Sequence, residues 1–178
     1  MCRGNLRAMN IVTFAPKYVA RVGTLIVPIQ REEFGVDITY EEQPDLMDIA
    51  NFYQKGAGQF WLALDQDEVV GSIGLLDIGA GEGALRKMFV AATHRGSAHG
   101  VAAQLLRTLL NHARKNGLKT IYLGTTEKFV AAHRFYEKSG FELIEPDSLP
   151  ATFPRMAVDK RFYRLDTDLL GGIKTDRP

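Results

Sequence analysis

Connections between strand-like runs are short before Val90 and long after it, and this switch constrains the fold more than any other feature of the sequence. Runs 60–64, 69–78 and 84–90 are separated by Asp65-Gln66-Asp67-Glu68 and by Gly79-Ala80-Gly81-Glu82-Gly83. Polar or Gly-rich links of that size close hairpins, so the three runs form an antiparallel meander. Beyond Val90, residues 101–115 put Leu105, Leu106, Leu109, Leu110 and Ala113 on one helical face, and Asn116-Gly117 stops the helix. Thr120-Ile121-Tyr122-Leu123 follows as a short buried strand. Strand, long helical crossover and strand make a right-handed unit with parallel strands.

The flanks fit around this frame. Pro16 suits a first helical turn, and Val19, Val22, Ile26 and Val27 form a helical stripe that Pro28 kinks or ends, leaving 29–34 as a second short piece. Gln43-Pro44-Asp45 opens another helix, with Leu46, Ile49, Ala50 and Tyr53 at helical spacing and Gly56 as its stop. A further helix covers about 128–139, ended by Gly140, and 141–144 and 156–165 read as closing strands. No internal repeat or linker marks a second domain. The sequence predicts one α/β (α+β) domain over 1–170 and a flexible C-terminal tail over 171–178.

Composition narrows the function classes. The 178 residues are 46% hydrophobic and 24% charged, ordinary values for a globular domain. A lone cysteine, Cys2, forms no internal disulfide, and four scattered histidines do not make a metal cluster, so no metal is expected. No apolar run approaches the ~20 residues of a membrane span. The basic N-terminus over 1–10 is followed by Pro16, Lys17 and Arg21, which break a secretory pattern, so a cytoplasmic protein is expected. The net charge of +1 hides a segregation: residues 32–82 hold twelve acids and one base, while 84–126 hold seven Lys or Arg, three His and no acid. Solvated faces alternating along the chain would give the same pattern. Read as function, it points to an anion bound near the middle of the chain and a cation near its first third. Nucleic acid is not expected, because no aromatic-interleaved basic stripe appears.

Two segments carry the chemical signal. Thr93-His94-Arg95-Gly96-Ser97-Ala98-His99-Gly100-Val101-Ala102 leaves a strand and opens a helix. Such a junction aims free backbone N–H groups and the positive end of the helix dipole outward, glycines allow close approach, and Arg95 adds a planar fork for a phosphate oxygen. Taken alone, it also reads as an ordinary glycine-containing loop, and it is neither GxxxxGK[ST] nor GxGxxG. Downstream, Phe129, Ala132 and Tyr136 share a helical face. Small Ala132 leaves room for a ligand chain, and the Tyr136 hydroxyl is placed to protonate a leaving thiolate; equally, Phe135 and Tyr136 suit a core.

Together these segments resemble the GNAT superfamily of acyl-CoA-dependent N-acyltransferases, over roughly 60–141. Gly100-Val101-Ala102 matches the end of the family's Arg/Gln-x-x-Gly-x-Gly/Ala loop, with Arg95-Gly96 as its opening and two residues more between them. Ala132, Tyr136, Lys138, Gly140 and Phe141 match the later Asn-x-x-Ala-x-x-x-Tyr-x-Lys-x-Gly-Phe pattern, with Phe129 in the Asn position. The resemblance implies a mixed, mostly antiparallel sheet of six or seven strands flanked by about four helices and splayed between its fourth and fifth strands, here 84–90 and 120–123. It implies acetyl-CoA as cosubstrate, its pantetheine arm on the backbone of Met88, Phe89 and Val90. Its pyrophosphate would sit on Arg95, Gly96, Ser97, Ala98, His99, Gly100, Val101 and Ala102, with Phe129, Ala132 and Tyr136 alongside. It implies direct attack of an amine on the thioester, with Tyr136 as general acid. A homodimer is compatible with the family.

The attacking amine must lose a proton. Glu127, just past the fifth strand, and Glu33, in the segment the family uses for substrate, are the candidate bases, although helix starts attract acids for structural reasons. Gln30, Glu33 and Phe34 are candidate substrate contacts. The acidic first third suggests a cationic acceptor, a small-molecule or peptidyl amine. The alternative function is a non-catalytic acyl-CoA-binding or sensor module of the same fold.

Overall fold

The expected meander is present, and a computed structural model describing residues 9–96 and 98–172 shows how it closes. Strands β2 (Gln59–Asp65), β3 (Glu68–Gly79) and β4 (Glu82–Val90) pair antiparallel in succession. The β3–β4 turn takes positive φ at Ala80 (56°) and Gly81 (74°), the twist that matches right-handed strands. Helix α4 (Val101–Lys115) then crosses over and returns the chain as β5 (Thr120–Thr125), parallel to β4. Strands β6 (Glu142–Ile144) and β7 (Arg161–Asp166) complete a seven-stranded sheet in the order β1-β2-β3-β4-β5-β7-β6.

The sheet parts where the family resemblance places the splay. β4 and β5 share only the pairs Glu82↔Thr120, Gly83↔Ile121 and Ala84↔Tyr122, after which both strands run on unpaired to each other. One face is covered by α4, whose Leu105, Leu109 and Ala113 bury against Ile73, Leu75, Leu85 and Ile121, and by α5 (Val130–Lys138) through Tyr136. Gly71 lets α4 in: a Cβ there would lie 3.0 Å from Leu105 and 3.1 Å from Val101. The other face takes Val22 and Ile26 of α1 (Val19–Pro28) and Leu46, Ile49 and Tyr53 of α2 (Pro44–Met47) and α3 (Ile49–Tyr53).

Several boundaries differ from the sequence expectation. Strand β1 (Asn10–Thr13) pairs with β2 but was not expected, since four residues are too few to show alternation. The single helix expected after Gln43 breaks at Asp48, which sits at φ −143° and caps α3 by accepting from the Asn51 amide. Residues 29–34 form one π-turn, Ile29–Glu33, continuing α1 past Pro28. The last strand starts at Arg161 rather than near 156, because Met156 to Asp159 close a turn in which the Asp159 carboxylate accepts from the Met156 amide. Cys2, Ser97 and residues 173–178 of the expected tail lie outside the described residues.

Candidate active site

The cleft between β4 and β5 is built first from backbone. Gly100 takes φ 62°, the left-handed conformation that turns the loop sharply into α4. The first-turn amides of α4 have no side-chain cap, and the first turn holds no acid, so among the described residues they lie open at the positive end of the helix dipole. The expected run of phosphate-facing amides is shorter than the sequence suggested: the His99 and Gly100 amides donate back to the Gly96 carbonyl, each at 3.2 Å. Exposed Ala98 and the Val101–Ala102 turn remain toward solvent or the helix start.

Strand β4 offers a second set of backbone groups. The Ala91 amide donates to Val70 at 2.8 Å, which fixes the ladder parity. By alternation, the groups of Val90 turn away from β3 toward the cleft, whereas those of Phe89 face Ser72. Phe89 therefore contributes its ring rather than its backbone. A bulge precedes it. Two residues, Lys87 and Met88, oppose Ile73 alone; Lys87 has φ 52°, and Ser72 Oγ holds its carbonyl at 2.7 Å.

The side chains of the cleft are tied across it. Arg95 donates from Nε to the Val90 carbonyl at 2.8 Å and makes a bidentate pair with Glu33, Nη2 to Oε2 at 2.8 Å. This pairing holds the Glu33 carboxyl below its usual range, so Glu33 is a weaker base than a free glutamate, and the Arg95 fork is engaged. Neighbouring Phe34 stacks at 3.5 Å on Phe129 and at 5.9 Å on Phe89, linking the π-turn to both walls. His94, not singled out from the sequence, bonds Asp65 at the end of β2 (2.9 Å) and anchors the loop start.

Tyr136 lies against β4 beyond its last residue paired with β5. It is buried against Phe135, Phe141 and Tyr163, and its hydroxyl points at Met88 Sδ, 3.6 Å away. Burial raises its pKa well above that of a free phenol, so it carries its proton at neutral pH. Ala132 is half-buried beside this core. Thr126, just past β5, has a buried hydroxyl with no partner, an orphaned polar atom beside the cleft. Glu127 stands exposed on the turn before α5, with no hydrogen bond among the described residues.

On the opposite face a buried polar network stands behind β4. Gln30 and Gln43 exchange amide hydrogen bonds at 2.9 Å, Gln43 Oε1 accepts from Lys87 Nζ at 2.6 Å, and Tyr53 donates to Asp45 at 2.5 Å. Gln30 is thus a support beneath the wall. The only signal for this network in the sequence is the adjacent pair Arg86-Lys87 at the start of the acid-free stretch.

The acetyltransferase (GNAT) family profile matches residues 25–141, more than half of the chain. The chain belongs to the GNAT acetyltransferase family. Membership places it among acyltransferases. Among solved structures it is similar to a GNAT-family acetyltransferase from Staphylococcus aureus Mu50, at TM-score 0.85 and 36% identity over 90% of this chain and 99% of that one. An acetyltransferase from Streptococcus agalactiae gives TM-score 0.85 and 34% identity over 90% and 99%. An N-acetylaspartate synthetase from Xenopus tropicalis is 38% identical over 128 residues, 68% of this chain and 45% of that protein. This GNAT chain spans about half the length of the curated relatives it matches.

Proposed function

We propose that this GNAT chain transfers an acetyl group from acetyl-CoA to a primary amine of a small molecule or peptide. The observation that carries the reading is the cleft itself. β4 and β5 part after three residue pairs, with the glycine-led α4 N-terminus after β4 and the Tyr136 hydroxyl against Met88 of β4. The residues fit a diphosphate-bearing acyl thioester: a first turn with no side-chain cap and Gly100 at positive φ. Two of the similar proteins are named for N-acetylation, which supports the same reaction class.

Acetyl-CoA, when bound, supplies the activated acetyl group. The first-turn amides at Val101 and Ala102, with the preceding Gly100, would receive the pyrophosphate. The Val90 amide faces the cleft and is free to donate to a carbonyl oxygen, while Phe89 serves as an apolar wall beside Phe34 and Phe129. Tyr136 retains its proton and acts as donor to the departing sulfur. Glu33, held as a carboxylate by Arg95, and exposed Glu127 are the candidates to accept the amine proton, the latter through water.

Calorimetric titration with acetyl-CoA followed by a thiol-release screen over amines tests this reading. Micromolar binding with thiol release supports the transferase. Binding without release on any amine supports the non-catalytic acyl-CoA-binding alternative, and no binding rejects both.

A further inference from the structure

The α1–α3 side of β4 carries two adjacent buried cations that share one nearby carboxylate. Arg86 and Lys87 follow Ala84, the last residue of β4 paired with β5, so they stand at the opening of the cleft. The bulge at Lys87 aims both side chains at the same carboxylate: Asp45 Oδ2 lies 3.9 Å from Arg86 Nη2 and 3.6 Å from Lys87 Nζ. Neither is a close ion pair, and the short bond of Asp45 goes to Tyr53. Their side chains are only 14% and 8% exposed, so water screens this charge poorly.

Arg86 is the less satisfied of the two. Its Nη2 reaches Met156 Sδ at 3.7 Å, a weak acceptor, and its guanidinium lies 5.8 Å from the centre of the Phe52 ring. Among the described residues its fork makes no hydrogen bond to an oxygen. Across the cleft, Gly124 of β5 has no side chain and packs on Asp159: a Cβ at Gly124 would lie 2.6 Å from the Asp159 carboxylate. Arg155 sits over Phe162 on the same wall. Arg155 is exposed, so the charges held away from water are Arg86 and Lys87 on β4 and the carboxylates of Asp45 and Asp159. The remaining acids of the first third add no buried charge. Glu33 is consumed by Arg95, and Glu32, Glu41 and Glu42 are exposed.

We propose that Arg86, backed by Lys87, is the binding site for a carboxylate of the acceptor, so that the amine acetylated belongs to an anionic, carboxylate-bearing molecule. The inference rests on the transferase reading and replaces the cationic acceptor suggested by charge counting. A carboxylate would fill the Arg86 fork bidentately and give it the oxygen partners it lacks among the described residues. The left-handed φ of Lys87, unfavourable for a long side chain, is then the backbone strain that aims two adjacent cations into one site. A polyamine would bring like charge against Arg86 and Lys87 and leave the Arg86 fork unfilled.

The test compares acceptors on the full chain with acetyl-CoA by thiol release: L-aspartate, L-alanine, L-alaninamide and spermidine. Turnover is expected with the carboxylates, and L-alaninamide and spermidine should be poor. Equal or better turnover of spermidine or alaninamide overturns the proposal. Arg86→Gln should raise KM for the carboxylate acceptor roughly 10- to 100-fold, the loss of a charged hydrogen bond, while KM for acetyl-CoA changes little. Arg86→Lys should recover part of that loss, which separates charge from folding. An unchanged acceptor KM in Arg86→Gln rejects the site. If no amine releases thiol, calorimetric titration of L-aspartate into the CoA-saturated protein still decides: binding lost in Arg86→Gln keeps the site and sinks the transferase, and no binding sinks the site.

Discussion

The two faces of the sheet at the β4–β5 parting are built from different materials. On the α4–α5 face the site is backbone: a left-handed glycine, uncapped amides and a strand edge, all within one strand–loop–helix unit. On the α1–α3 face it is side chains brought from far apart; Lys87 and Gln43, bonded at 2.6 Å, are 44 residues apart in the chain. A backbone site tolerates substitution wherever the conformation survives, and is vulnerable at the glycine that sets it. A side-chain network fails at any member, because each loss strands a buried partner. The first kind suits a ligand shared by a whole family, and the second suits a ligand particular to one protein.

The largest effect expected from this contrast is at Gly100. Gly100→Asp combines left-handed strain of about 1–2 kcal/mol with a carboxylate where an anion binds, and should weaken CoA binding about 100-fold or more. Calorimetry checks it, with thermal unfolding as the folding control. Retained affinity would mean that the anion sits elsewhere and the α4 face is not the cofactor side. Next is Tyr136→Phe, which keeps the aromatic packing and removes only the hydroxyl near Met88. Turnover should fall about 100-fold with CoA affinity unchanged, and an unaltered rate would take Tyr136 out of the mechanism.

The same contrast explains what the sequence disclosed. The residues proposed for the cofactor, Gly100, Val101, Ala102 and Tyr136, stand at fixed local spacings. Hairpin links and the α4 stripe are likewise local, so the splayed sheet was readable. The acceptor wall was not. That Asp45 answers Arg86 and Lys87, that Glu33 meets Arg95, and that Gly124 is bare beneath Asp159 are consequences of the folded topology. Counting acids along 32–82 could not show that Glu33, Asp45 and Asp65 are held against cations or a histidine. The stacking of Phe129 on Phe34 was invisible for the same reason.

The side-chain face makes its own prediction about stability. Tyr53→Phe removes the donor to Asp45 while preserving the ring in the α1–α3 core. Leaving that buried carboxylate short of one bond should cost about 1–3 kcal/mol, seen as a lower Tm. The loss should exceed that of Thr24→Ala on the exposed surface of α1, whose hydroxyl bonds only the Ala20 carbonyl one turn back. Equal losses would show that the network behind β4 is not under the strain of low dielectric inferred for it.

The smallest effect is expected where the two faces meet, at Glu33 and Arg95. Their side chains are 37% and 41% exposed, so the pair is screened and contributes little to stability. It matters instead for what Arg95 is free to hold. The lowered pKa of Glu33 means that the pair is intact above the ordinary glutamate range, and is lost only as pH falls through the depressed folded value. At neutral pH, a phosphate must therefore compete with a carboxylate for the same fork. Glu33→Gln removes that competitor, and should raise CoA affinity a few-fold at low salt, with the gain shrinking toward 0.5 M salt as screening grows. A fall in affinity would invert the relation, making Glu33 the residue that holds Arg95 in place for the anion and joining the two faces into one site.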